Sequence, residues 1–183
     1  MDADFEQILH GARAGQQEAW TQLYRGLAPQ VRGYLRARGA PEPDDLTGEV
    51  FLQVVRDLGS FSGGRREFHA WVFTIAHHRL LDDVRRSQRR PLEPAADDVL
   101  EDHLPASDAE EDALRSLEAH RVKALVGKLS PDQRTVLLLR ILGDLSIEEV
   151  ARAAGKTPGA VKALQRRGLA AIRREISKEE VSL

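Results

Sequence analysis

Lys162 and Arg166 stand four residues apart in PGAVKALQRR, with Arg167 beside them, so a helix would carry them on its outer side. Cations so placed neutralise phosphates, and an arginine can pair with guanine through two hydrogen bonds. Thr157, Pro158 and Gly159 open that helix: threonine can cap it, proline suits its first position, and small residues let a backbone come close. Val161, Leu164, Gly168 and Ile172 point inward, and Gly159, Lys162, Ala163 and Arg166 outward. Just upstream, Ser146 and Glu149 form a capping-box pattern, and Ile147, Val150, Ala151 and Ala154 make one apolar stripe. Gly155 sits where a left-handed C-cap is wanted. Two capped helices around a glycine turn predict a helix-turn-helix able to enter a DNA major groove. A surface helix with a solvated basic face has the same periodicity, and it is the paired caps that favour DNA.

A second group of cations lies in FSGGRREFHAWVFTIAHHRLLDDVRRSQRR, residues 61–90. A glycine-rich loop leads into a long helix whose buried side holds Phe68, Trp71, Val72, Ile75 and Ala76 and whose end is rich in arginine. Cations beside aromatics suit single-stranded or melted DNA. Core packing is the preferred reading of Trp71, and a dipole-favoured helix end is the plainer reading of the arginines. The segment 43–58, PDDLTGEVFLQVVRDL, sets Leu46, Val50, Val54 and Leu58 on one stripe, with Phe51 and Val55 beside it. Asp44, Asp45, Glu49 and Gln53 lie opposite, which taken alone describes an amphipathic helix with a solvated acidic face. His69, His77 and His78 lack metal-ligand spacing, and there is no cysteine to assist them. With no nucleophile elbow, phosphate-binding glycine loop or acid–base pair, neither an enzyme nor a metal or other cofactor is expected.

The elements that must position these residues follow from charge and punctuation. Residues 1–90 hold 13 basic and 12 acidic side chains, residues 91–120 hold one and 10, and residues 121–183 hold 13 and seven. Acid is thus concentrated in one proline-containing middle segment, and the part bearing the helix-turn-helix is basic. The fold class expected is all-α: two small helical domains, 1–90 and 113–183, joined by a flexible acidic linker over 91–112. Helices are predicted over about 3–14, 17–38, 43–58, 67–89 and 109–127, then from Ser130 to Gly143, then the helix-turn-helix. No apolar run is long enough to span a membrane, so no membrane insertion is expected, and a cytoplasmic protein fits best.

From about residue 5 to residue 174 the chain resembles the extracytoplasmic-function (ECF) RNA polymerase sigma factors of the sigma-70 family. ARAGQQEAWTQLYRGLAPQVRGYL looks like the family's opening helices and DDLTGEVFLQV like its polymerase-binding helix. FHAWVFTIAHHRLLDDVRR looks like its promoter-melting helix, and LSPDQRTVLLLRILGDLSIEEVARAAGKTPGAVKALQRR like its −35-reading domain. The resemblance implies a sigma region 2 domain and a sigma region 4 domain, with core RNA polymerase, promoter DNA and an anti-sigma factor as partners. It implies core-polymerase contacts at Asp45, Leu46, Glu49, Val50 and Gln53. It implies −10 contacts at Phe61, Ser62, Gly63, Arg65, His78, Arg79, Arg85 and Arg86, and −35 contacts at Thr157, Pro158, Gly159, Lys162, Arg166 and Arg167. The chain departs from the common family pattern at Gly48 and His78, often Gln and Asn, and at Ala163-Leu164, often Ser-Arg. The rival reading is a stand-alone helix-turn-helix transcriptional regulator that would find a palindrome unaided.

Overall fold

The computed structural model describes residues 2–89 and 121–181. The expected linker, 91–112, lies outside the described residues, as does the first part of the helix expected over 109–127. All regular structure among the described residues is helical, as the sequence predicts.

Four helices form the N-terminal bundle: α1 (Asp2–Arg13), α2 (Gln17–Ala37), α3 (Pro43–Asp57) and α4 (Arg65–Arg89). A 3₁₀ turn, Leu58–Ser60, joins the last two. Pro43 starts α3 at a position where its missing N–H leaves no donor unpaired, and Asp44 and Asp45 meet the positive end of the helix dipole. α3 packs on α2 and α4, and α1 packs on α2. Val31, Tyr34, Leu35, Val50, Val54, Phe68, Val72 and Phe73 fill the space between them. Each such side chain contributes about 1.5–3 kcal/mol by leaving water.

The C-terminal module comprises α5, described over 121–127, then α6 (Pro131–Ile141), α7 (Ile147–Ala154) and α8 (Pro158–Val181). Both predicted capping boxes are present, Ser130 with Gln133 and Ser146 with Glu149. Gly155 closes α7 with φ 62°, the left-handed C-cap its position suggested. Gly143 differs from expectation. The left-handed residue after α6 is Asp144, φ 49°, and Gly143 is small because a Cβ there would stand 2.7 Å from the Leu139 carbonyl oxygen.

The two modules touch. α4 packs against α7, and one continuous apolar cluster runs from Phe73 and Val72 to Leu139, Leu145 and Val150.

Candidate nucleic-acid interface

α8 presents the surface that the helix-turn-helix pattern predicts. Val161 and Leu164 are buried beneath it, and Gly168 lets α6 approach so closely that a Cβ would stand 2.8 Å from Leu137 Cδ1. Thr157 Oγ1 accepts the Ala160 N–H at 3.2 Å, capping the helix. Thr157, Pro158, Gly159, Lys162, Arg166 and Arg167 are all exposed and follow one another over the first three turns. Ala163, expected outward, is half-buried. This is a ridge with small residues at its tip and cations along its side, suited to phosphate and base edges.

The −10 candidates lie along α4 and its preceding loop. Phe61 stacks on Trp71 with ring centroids 4.9 Å apart and meets Phe68 edge-on at 5.4 Å. Trp71 is half-buried, with Phe61 and Phe68 packed on its ring. Gly63 has φ 145°, and any Cβ would stand 2.7 Å from Glu67 Cβ, so only glycine fits this turn. Ser62 is exposed, and Arg65 lies over the Phe5 ring at 5.1 Å. His78 Nε2 is 3.2 Å from the Ala153 carbonyl oxygen, so its N–H donates to α7. Arg85 pairs with Asp82 at 3.2 Å. From Arg65 to Arg86 is 21 residues, about 32 Å of helix, so these groups extend along the helix and do not share one pocket.

α3 carries the candidate polymerase contacts, and they divide. Asp45 is exposed, and Glu49 and Gln53 are half-exposed. Leu46 and Val50 are 5% and 0% exposed, so they hold α3 in the bundle and offer a partner no surface. That corrects their assignment as contacts: both lie on the stripe that packs the core. Val55, expected beside that stripe, is instead exposed together with Leu52 and Tyr24. With Trp20, Gly48 and Phe51 they line an open apolar groove of about 370 Å³. Gly48 adds no side chain to this groove, and a Cβ there would meet nothing within 4 Å. α3 is also tied to α4: Arg79 donates to the Gln53 side-chain oxygen, and Arg86 pairs with Glu49 at 3.5 Å.

Sequence reasoning missed the groups between the modules. Arg66 pairs with Glu149 at 2.9 Å, and the His69 Nδ1–H donates to the Gly143 carbonyl oxygen at 2.8 Å. Arg38 donates to the Pro131 carbonyl oxygen at 3.4 Å. Burial pushes the Glu149 carboxyl up, but the Ser146 N–H, the Arg66 guanidinium and the Ser146 hydroxyl outweigh it and hold the group below the ordinary carboxylate range. Only Glu149 carried a sequence signal, as the end of a capping box. Among the described residues no group of three histidines and carboxylates could hold a metal ion, and no helix is long and apolar enough to cross a membrane.

Comparison with known proteins places both modules. Residues 23–90 match the family model for sigma-70 region 2, and residues 119–172 match the model for sigma-70 region 4. The ECF RNA polymerase sigma factor ShbA of Streptomyces griseus is 33% identical over 175 residues, covering 91% of this chain and 92% of ShbA. The ECF RNA polymerase sigma factor BldN of Streptomyces coelicolor is 34% identical over 170 residues; the match covers 92% of this chain but only 64% of BldN. In fold, the chain is similar to the sigma factor RpoE of Bartonella quintana, solved with the anti-sigma factor NepR: TM-score 0.61, 19% identity, 86% of this chain and 96% of that one. Two region models in order, similarity to ShbA over most of both chains and an all-helical fold agree that the chain belongs to the ECF sigma factors of the sigma-70 family.

Proposed function

We propose that this sigma factor acts as a dissociable promoter-specificity subunit, in which α3 engages core RNA polymerase, α4 with its loop receives the −10 element, and α8 reads the −35 element. The observation that carries the reading is the exposed ridge from Thr157 to Arg167, set on buried Val161 and Leu164. It belongs to one module, and the acidic, partly apolar surface of α3 belongs to the other. The polymerase-facing groups are Asp45, Glu49 and Gln53, with the Tyr24–Leu52–Val55 groove beside them. The −10 set is Phe61, Ser62, Gly63, Arg65, His78, Arg79, Arg85 and Arg86. Unstacking a base costs a few kcal/mol, which contacts along the aromatic and basic track would recover. The chain performs no catalytic chemistry of its own and works in the cytoplasm. An anti-sigma factor is its second partner, as NepR is for RpoE of Bartonella quintana.

The test is a binding titration of labelled full-length chain with purified core polymerase. Asp45→Ala with Glu49→Ala should weaken binding at least tenfold, while Lys162→Ala with Arg166→Ala leaves it unchanged. No core binding, together with tight binding to a palindromic duplex, would establish the stand-alone regulator instead.

A further inference from the structure

We infer that Arg13, at the end of α1, is a positioning residue for the −10 loop: its guanidinium pins the backbone on either side of the turn before the loop, and so sets the Phe61 ring where a base of the melted strand must meet it. The inference rests on the promoter reading above. Arg13 lies in the last turn of α1, 45 residues before Leu58, the first residue of the 3₁₀ turn. Its Nε–H donates to the Leu58 carbonyl oxygen at 3.3 Å, and its Nη2 donates to the Phe61 carbonyl oxygen. The Leu58 oxygen also accepts the Phe61 N–H at 3.2 Å, which closes the turn. One planar fork therefore spans both ends of the turn that delivers Phe61. Carbonyls at the end of a helical turn carry partial negative charge, and a guanidinium holds several donors in one fixed plane, so arginine suits this pair better than lysine.

Phe61 leaves the turn in extended backbone, φ −70° and ψ 137°, and its half-buried ring stacks on Trp71 at 4.9 Å. α1 supports the same aromatic group a second time. Phe5 meets Phe68 with ring centroids 5.5 Å apart, and Arg65, one of the −10 candidates, lies over the Phe5 ring. At the far end of the loop the Gly64 N–H donates to the Glu67 carboxylate at 3.1 Å. The loop is thus tied where it begins and where it ends, with Ser62 and Gly63 exposed between the two ties. An exposed loop with few buried contacts opens easily, and a binding group already held in place loses less freedom when its ligand arrives. Arg13 supplies that hold through the backbone, and no base or phosphate need touch it.

Arg13→Ala tests this, since Arg13 is exposed and alanine keeps α1 helical. Holoenzyme assembled from core polymerase and the full-length chain is titrated with a single-stranded oligonucleotide. The probe is the non-template strand, across the −10 element, of a fragment from which the wild-type holoenzyme initiates. The variant should bind it about tenfold more weakly, the equivalent of one charge-assisted hydrogen bond. Core binding should not change, and neither should the slope of log affinity against log salt. A cation that touched the strand itself would instead lower that slope by about 0.7 for each phosphate. In a Phe61→Ala background the same substitution should cost little, because the group it places is gone. The free chain gives a second readout. It has two tryptophans, so Trp20→Phe leaves Trp71 as the sole indole, and Arg13→Ala should then raise acrylamide quenching of Trp71 towards the level of Phe61→Ala. Unchanged strand affinity, a loss that brings a lower salt slope, a matching loss of core binding, or a full effect in the Phe61→Ala background would each overturn the assignment. Trp71 quenching that is indifferent to Arg13 would do the same. If core polymerase does not bind at all, the functional reading fails, and the quenching of Trp71 still decides whether Arg13 holds the loop.

Discussion

Replacing His77 with glutamine should remove a component of acid sensitivity from the N-terminal bundle. His77 is 2% exposed, and its Nδ1 accepts the Tyr34 hydroxyl at 2.8 Å. Burial keeps the Tyr34 phenol protonated, so it is available as the donor. Burial, then the nearby Arg38 charge, then His78, lower the His77 pKa from 6.5 to about 4. Above pH 6.5 the ring is neutral in both the folded and the unfolded chain and contributes nothing to the pH dependence. As pH falls from 6.5 towards 4, the unfolded chain binds a proton that the folded chain refuses, so stability falls. At about 1.4 kcal/mol per pH unit, the loss between pH 7 and pH 4.5 is about 2.5 kcal/mol. Glutamine does not titrate, and the other groups cancel when the two proteins are compared at each pH. Urea unfolding at pH 7, 6, 5 and 4.5 should therefore show the wild-type advantage over His77→Gln shrinking by about 2.5 kcal/mol. A gap that stays constant to pH 4.5 would mean that His77 titrates as it does in the unfolded chain, and the buried Tyr34–His77 pair would not exist in solution.

Other substitutions probe separate links. Removing Lys162 and Arg166 together should weaken initiation at −35-dependent promoters. It should also lower the slope of log affinity against log salt by about 0.9 for each phosphate that is no longer neutralised. Gly143→Ala should destabilise the C-terminal module by about 2 kcal/mol in denaturant unfolding, because the new Cβ meets the Leu139 carbonyl. Ser146→Ala removes the acceptor for the Glu149 N–H and should lower stability by about 1 kcal/mol, read from the unfolding midpoint.

Much of this architecture was legible because its boundaries are local chemistry. Ser130, Ser146, Gly155 and Pro158 each act within four residues of their own position, and the helix boundaries they set lie within a residue or two of expectation. The inward face of α8 was legible for the same reason, since helical spacing alone selects Val161 and Leu164. Family motifs are less discriminating: the polymerase contacts that the resemblance implies include Leu46 and Val50, which the bundle buries, and leave out Tyr24 and Leu52, which it exposes. The spacing that sets Val55 beside the apolar stripe does not say where the neighbouring helices end. The contact between modules was hidden because most of its acceptors are backbone carbonyls, at Pro131, Gly143 and Ala153, which every residue type carries. Gly143 shows the limit well: glycine was expected there for its backbone freedom, and it is required for the space it leaves.

In the proposed division of labour, one module grips the transcription machinery while the other selects the site. In vitro transcription from a pool of genomic fragments, with purified core polymerase and this chain added or withheld, tests it most directly. Initiation is expected at a defined subset of fragments only when the chain is present, abolished by Asp45→Ala with Glu49→Ala and redistributed or weakened by Lys162→Ala with Arg166→Ala. Transcription that is identical with and without the chain, or repressed by it at the fragments it binds alone, would mean that the chain does not direct initiation.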